Sequence, residues 1–227
     1  MKKKAIILIS GGLDSATVLA MLSELDFQIH AMSFEYDQNH IVELQKVKLL
    51  IQDYNVFEHK IIKIDPSVFQ SSALANKNLE IPKYNSIEEI NNVPSKPLSY
   101  VPGRNNLFLS YALSYADSIG AEDIFVGMHS LDSQHYPDCS KEFIKSFQNT
   151  ARAATNKEIS IHAPLLDMTK AEIVAEGLKR HVNYANTISC YDPTQYGISC
   201  GSCLSCCLRL NAFAANNAID EITYVKK

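Results

Sequence analysis

Beyond Lys2-Lys3-Lys4 the chain has no run of basic residues, no segment repeats, and no apolar stretch approaches the ~20 residues of a membrane-spanning helix. A formal net charge of -4 without a basic patch argues against a dedicated nucleic-acid binder and favours a small-molecule substrate. The apolar stretch after the lysines is ended by Ser10-Gly11-Gly12-Leu13-Asp14, too soon for a secretory signal. The expectation is therefore a soluble, cytoplasmic protein with no membrane partner. Two familiar phosphate motifs are missing as well: there is no G-x-x-x-x-G-K-[ST] loop and no G-x-G-x-x-G fingerprint. At 227 residues the chain can bury one sizeable core, so one domain with a small appendage is expected.

What is present is arranged around Ile6 to Ser15. Four aliphatic residues, Ile6 to Ile9, read as a strand buried on both faces. A Ser-Gly-Gly turn follows, and Ala16 to Leu25 reads as a helix with Val18, Leu19, Leu22 and Leu25 at helical spacing. A strand, a glycine turn and a helix N-terminus in that order make an anion site, because free N–H groups and the helix dipole favour negative charge. Ser10 and Ser15 add hydroxyl donors, and Asp14 is placed to hold Mg2+ or to cap the helix. The segment Ser10-Gly11-Gly12-Leu13-Asp14-Ser15 looks like the SGGxDS loop of the N-type ATP pyrophosphatases, the PP-loop superfamily.

Strands and helices alternate from there. Ile29 to Phe34 reads as a second strand, Val42 to Tyr54 as a helix, Lys60 to Ile64 as a third strand and Ile124 to Gly127 as a fourth. This pattern predicts an α/β fold with a parallel sheet and right-handed crossovers, with ligands beyond the carboxyl ends of the strands. Tyr36, Gln38 and His40 fall on that side, as does the polar loop from Met128 to Cys139. Residues 66–100 are rich in Asn, Ser, Lys and Pro, and are expected to be either disordered or a functional lid. Arg104 sits in the first turn of a helix that Gly120 stops, where the dipole disfavours a cation unless an anion such as ATP phosphate is near. Thr169-Lys170-Ala171-Glu172 is a capping box opening a helix to about Lys179, and Lys170 poses the same question as Arg104.

Five of the six cysteines fall at Cys190, Cys200, Cys203, Cys206 and Cys207, which points to metal rather than disulfides in a reducing compartment. The spacing C-x9-C-x2-C-x2-C predicts one tetrahedral Zn2+ held by Cys190, Cys200, Cys203 and Cys206, with no open position and hence a structural role. A bacterial ferredoxin run would need a cysteine at 210, which is Leu210. Cys207 is the alternative to Cys206, and the regular spacing favours Cys206.

Together these stretches resemble the QueC (ExsB) family of queuosine-precursor enzymes over nearly the whole chain. The match comprises residues 10–15; Tyr36, Gln38 and His40 with Glu43 and Leu44; and Tyr100-Val101-Pro102-Gly103-Arg104-Asn105 with Phe108. It continues with Gly127, Asp132, Tyr136-Pro137-Asp138-Cys139 with Glu142-Phe143-Ile144, Pro164-Leu165 with Lys170-Ala171-Glu172, and the four cysteines. Asp37, Asn39, Gln134 and His135 depart from the family's usual residues, the first pair near the expected nucleotide site and the second near the expected base pocket.

The resemblance implies a Rossmann-like (adenine nucleotide alpha hydrolase-like) domain at 1–185, with helices on both faces and residues 66–100 as an insertion or lid. A small zinc-binding helical appendage would occupy 186–227. It implies ATP bound along Ile9, Ser10, Gly11, Gly12, Leu13, Asp14, Ser15, Ala16, Thr17, Val18 and Leu19, with Mg2+. Ser10, Asp14, Ser15, Arg104 and Lys170 would serve the reaction, and Tyr36, Gln38, His40, Asp132, Tyr136 and Asp138 the substrate. The implied activity is an ATP-dependent ligase that turns 7-carboxy-7-deazaguanine and ammonia into 7-cyano-7-deazaguanine, with release of AMP and diphosphate, in a homodimer. A tRNA thiolase or lysidine synthase shares the phosphate loop, but the acidic balance and the lack of room for an RNA-binding domain oppose it. A glutaminase domain does not fit either, so ammonia would be free or come from a partner.

Overall fold

The computed structural model describes residues 2–36, 42–84, 89–90, 96–129 and 136–226. Strand β1 (Lys3–Leu8) forms the middle of a five-stranded sheet with β2 (Phe27–Glu35), β3 (Val56–Lys63), β4 (Asp123–Phe125) and β5 (Ser160–His162). The order is β3-β2-β1-β4-β5 and every pairing is parallel. Because β1 lies between two neighbours and under helices on both faces, it can carry no polar side chain at its centre: Ala5, Ile6 and Ile7 are wholly buried.

Alternation along the strand sends these side chains to opposite faces. Ile6 packs into a core shared with Leu109, Ala112 and Ala116 of α3 (Arg104–Ile119) and with Phe147 and Ala151 of α4 (Lys141–Thr155). Ala5 and Ile7 join the other core, with Ala16 and Leu19 of α1 (Leu13–Ser23), Val47 and Leu50 of α2 (Val42–Leu50), and Ile173 and Val174 of α5 (Lys170–Lys179). Ala212 and Phe213 of α6 (Leu204–Ala215) complete that side. The expected α/β sheet, covered on both faces, is thus what the chain forms.

Several element boundaries move. α1 starts at Leu13 rather than Ala16, because extended Gly12 is its N-cap and its carbonyl already accepts from the N–H of Ala16. Asp14 therefore lies inside the first turn and does not cap the helix. β3 starts at Val56 rather than Lys60, paired through a register shift opposite Ile29 and His30. α2 stops at Leu50, and Ile51–Asp53 forms a tighter 3-10 turn. α3 ends where Gly120 is expected to stop it, and α4 ends on Asn156, both in the left-handed conformation.

The described part of the 66–100 stretch is packed rather than loose. Phe69, Ala73 and Leu74 are buried in the same core as Phe34 and Tyr36. The Ala73 N–H donates to the Leu98 carbonyl at 2.8 Å, closing the loop at its base. Further on, Lys83 bridges Cys203 in antiparallel fashion, and the Tyr84 N–H donates to Ser202 at 2.7 Å. At the other end of the chain α6 is anchored by Arg209, which is wholly buried and paired in bidentate fashion with Asp220 at 2.7 and 2.9 Å. Its remaining donors reach Thr187 and the Tyr184 carbonyl, which satisfies a charge that burial would otherwise make costly.

Candidate active site

The sheet order reverses between β1 and β4, and a cleft of about 220 Å3 opens beyond their carboxyl ends. One wall is the turn after β1. Gly11 has φ +82, and a Cβ added there would stand 2.4 Å from the Glu43 carbonyl oxygen, so α2 is pressed onto the turn where only glycine fits. The turn is held by its own hydroxyls. Ser15 Oγ donates to the Gly12 carbonyl at 3.1 Å and accepts from the Ser10 N–H at 3.2 Å, while Ser10 Oγ accepts from the Gly12 N–H at 3.2 Å. Gly127, just past β4, presses against this turn: a Cβ on it would be 3.1 Å from the Ser15 nitrogen.

Of the stretch expected to hold nucleotide, Ile9, Ser10, Gly12, Asp14 and Ser15 line the cleft. Leu13, Ala16, Thr17, Val18 and Leu19 are buried in the core behind it. Thr17 bonds the Leu13 carbonyl and the Tyr184 hydroxyl. The helical periodicity that identified α1 also dictates this split, since one face of the helix must cover the sheet.

Lys170 enters from the N-terminus of α5, behind the predicted capping box: the Glu172 N–H donates to Thr169 Oγ1 and the Thr169 N–H to Glu172 Oε2. The anion that offsets its unfavourable place on the dipole is Asp14, whose two oxygens both lie 2.6 Å from Lys170 Nζ. His129, from the loop after β4, lies 3.2 Å from Lys170 Nζ and 3.8 Å from Asp14. Burial alone would raise the Asp14 pKa, but the charge and hydrogen bonds of Lys170 act against it, and the carboxyl is held below its ordinary value.

The facing wall is aromatic. Phe34 stacks on Phe108 with centroids 3.8 Å apart, and Tyr36 packs at an angle against Phe108 and Phe69. Arg104 reaches across from α3, donating to the Tyr36 hydroxyl at 3.3 Å with its guanidinium 5.9 Å from the Phe108 ring centre. Burial pushes the Tyr36 phenol up, only partly opposed by Arg104. Tyr136 lies nearly parallel to Tyr100 at 5.9 Å, and its hydroxyl is 3.2 Å from that of Ser99.

Asp138 lines the cleft but already has a structural task. Left-handed Gly103 opens α3 with no side chain of its own, and Asp138 Oδ2 accepts the orphan N–H of Asn105 at 2.9 Å. Asn105 in turn donates to the Asp138 carbonyl and the Cys139 sulfur. Gln38, His40 and Asp132 lie outside the described residues, as do Asp37, Asn39, Gln134 and His135.

Two titratable cleft residues have no site role in the sequence reading, although Glu43 falls in the family match. His129 reads as one polar residue in a polar loop, and nothing in the sequence brings that loop to Asp14. Glu43 sits in the first turn of a helix, an ordinary place for an acid, yet it is buried and lines the cleft. Burial raises its pKa well above the ordinary value, with the charge of Arg104 acting against that rise.

The four sulfurs of Cys190, Cys200, Cys203 and Cys206 all lie within 4.8 Å of one another. Backbone N–H groups of Asp192 and Cys200 point at Cys190, that of Cys203 at Cys200, and that of Tyr191 at Cys203. Such donors support thiolates, and together with the convergence of four sulfurs the set fits a metal ion. Cys207 faces the Tyr84 carbonyl instead. The cysteine segment also contributes to the cleft, through Ser189, Tyr191, Ser205 and Leu208. Among the described residues no helix is long and apolar enough to cross a membrane.

Against known proteins, residues 4–217 match the family described as "QueC: Queuosine biosynthesis protein QueC". The chain is 54% identical over 225 residues to a protein of Rickettsia felis named 7-cyano-7-deazaguanine synthase, covering 98% of this chain and 100% of that one. It is also 54% identical to the protein of that name from Rickettsia akari, again over 98% and 100% of the two chains. Among solved structures, the NMN synthetase from Francisella tularensis is a distant likeness, with a TM-score of 0.48 at 18% identity over 80% of this chain and 63% of that one.

Proposed function

The chain belongs to the QueC family of queuosine biosynthesis proteins, and on that footing we propose that it makes 7-cyano-7-deazaguanine from 7-carboxy-7-deazaguanine, ammonia and ATP. The observation that carries the reading is that one cleft joins the Ser10–Ser15 turn, Lys170 and Arg104 to an aromatic wall, in a chain matched end to end by synthases of that name.

A carboxylate resists attack by ammonia until one of its oxygens is made a leaving group. Its oxygen attacks the α-phosphorus of ATP, the bond to the β-phosphate oxygen breaks, and pyrophosphate leaves. The hydroxyls of Ser10 and Ser15, the N–H groups of the turn, and the cations of Arg104 and Lys170 stabilise the charge that develops on it. Ammonia then adds to the acyl carbon, AMP departs with its bonding pair, a proton is lost, and the amide remains. The amide oxygen attacks a second ATP in the same way. Pyrophosphate leaves again, and the nitrogen then gives up both its protons as AMP departs with its bonding pair, which leaves the nitrile.

Tyr36 and Tyr136 offer ring faces to the deazaguanine. Asp138 lines the same cleft with one oxygen committed to α3, and the family reading also gives Gln38, His40 and Asp132 a role toward the substrate. Mg2+ accompanying the nucleotide would be held at Asp14 and would neutralise charge on the leaving pyrophosphate. Zn2+ would be held by Cys190, Cys200, Cys203 and Cys206, tying the segment that lines the cleft to the insertion, with no open position for chemistry. We place the enzyme in the cytoplasm as a homodimer, with ammonia free or supplied by a partner.

Incubation with ATP, Mg2+, ammonium and 7-carboxy-7-deazaguanine, followed by mass spectrometry, tests this. The expected products are the nitrile with two AMP per molecule formed. Release of ADP in place of AMP, or no consumption of the acid, would overturn the proposal.

A further inference from the structure

The ammonium of Lys170 has three N–H donors and no acceptor. Two point at the oxygens of Asp14, at 2.6 Å each, and the third direction is filled by His129 Nε2 at 3.2 Å. Since Lys170 is the donor, Nε2 accepts and carries no proton of its own in this arrangement. All three groups line the cleft. His129 is only 2% exposed, and its loop is fixed at the turn by Gly127, whose backbone leaves no space for a Cβ beside Ser15 without displacement.

A phosphate oxygen arriving at Lys170 must take over one of these three bonds. The two to Asp14 are short and charge-assisted on both sides, whereas the one to a ring nitrogen is longer and joins a cation to a neutral acceptor. Opposite charges at short range hold more strongly than a cation on a neutral acceptor, so the bond to His129 is the one that yields. We propose that His129 is a positioning residue for ATP cleavage: it keeps the third N–H of Lys170 aimed at the cleft and hands it to the outer phosphates of the nucleotide.

This rests on the reading of the cleft as an ATP site, and two variants separate the two ideas. His129→Gln places a carbonyl oxygen near the position of Nε2 and keeps the acceptor. His129→Leu fills similar space without one. For the leucine variant kcat should fall about 10- to 100-fold, the scale of a misplaced catalytic group, while KM for the deazaguanine acid stays within about two-fold. For the glutamine variant most of the loss in kcat should be restored. A role limited to filling space predicts the reverse order or no difference. Wild-type kcat in the leucine variant, or equal loss in two variants with equal unfolding midpoints, would overturn the proposal.

Wild-type protein supplies a readout that needs neither turnover nor a variant. Adding a non-hydrolysable ATP analogue with Mg2+ should shift the His129 Nε2 resonance in a 15N spectrum as its donor leaves. An unmoved resonance with the analogue bound counts against His129 alone. Failure of the analogue to bind at all counts against the ATP site.

Discussion

Gly11 and the backbone of Glu43 are in contact at a distance that admits no side chain on the glycine: an added Cβ would lie 2.4 Å from the Glu43 carbonyl oxygen. Gly11→Ala meets both that collision and a left-handed φ, and backbone cannot swing aside as a side chain can. A loss of about 1–3 kcal/mol is expected from the conformation alone, with AMP formation falling well beyond what the unfolded fraction explains. Thermal unfolding and AMP release at a temperature where both proteins are folded will check it. A variant that forms AMP at the wild-type rate would mean that this approach does not set the turn.

Asp14→Ala should abolish turnover while leaving the metal content of the cysteine cluster intact, because the carboxylate serves the cleft and touches none of the four sulfurs. Atomic emission on the purified variant, alongside the AMP assay, reads both. Metal lost together with activity would mean that the two sites are coupled.

Glu43 gives the stability profile a definite sign. Its folded pKa lies well above the ordinary 4.5 because of burial. Between the two values the folded state holds more protons than the unfolded one, so stability falls as pH rises through that window. Glu43→Gln cannot titrate, and should flatten this limb and be the more stable protein at its upper end. Urea midpoints measured from pH 4 upward test it. An unchanged slope would remove Glu43 as the cause.

Asp220→Ala would leave the Arg209 guanidinium buried without its carboxylate, at an expected cost of about 3–5 kcal/mol. The effect belongs in the denaturation midpoint. A drop below about 1 kcal/mol would mean that water reaches the arginine or that its other acceptors suffice.

Cys203→Ser should lower the metal content and loosen the strap that Lys83 and Tyr84 form against residues 202–203. The expected signature is faster proteolysis around residues 80–84, reproduced in the wild type by a strong chelator. Equal digestion rates with and without metal would show that the strap holds by itself.

The parts of the fold that could be read in advance were those whose cause is local. The buried run Ile6–Ile9, the Ser-Gly-Gly turn, the capping box at Thr169 and the stop at Gly120 each carry their reason within a few residues. The two misplaced cations were informative for the same cause: Lys170 and Arg104 sit where a helix dipole rejects them, so each advertised a partner. For Lys170 that partner is Asp14, on the neighbouring helix α1 of the same face, and for Arg104 the contacts are the Tyr36 hydroxyl and the Phe108 ring.

What stayed hidden depends on sheet order, which no window of sequence contains. His129 gains its place only because β4 pairs with β1, and Glu43 is buried only because α2 leans on Gly11. Nothing local says that Asp138 also caps a helix starting thirty-odd residues earlier. The cysteine spacing disclosed a metal set but not that Tyr191, Ser205 and Leu208 beside it would line the cleft.

The lining of that cleft runs from Leu8 to Leu208. Synthesis must therefore reach residue 208 before the whole pocket can close around a ligand. A ligand can meet the complete lining only once that much of the chain has emerged, and truncation upstream of residue 208 leaves the lining incomplete.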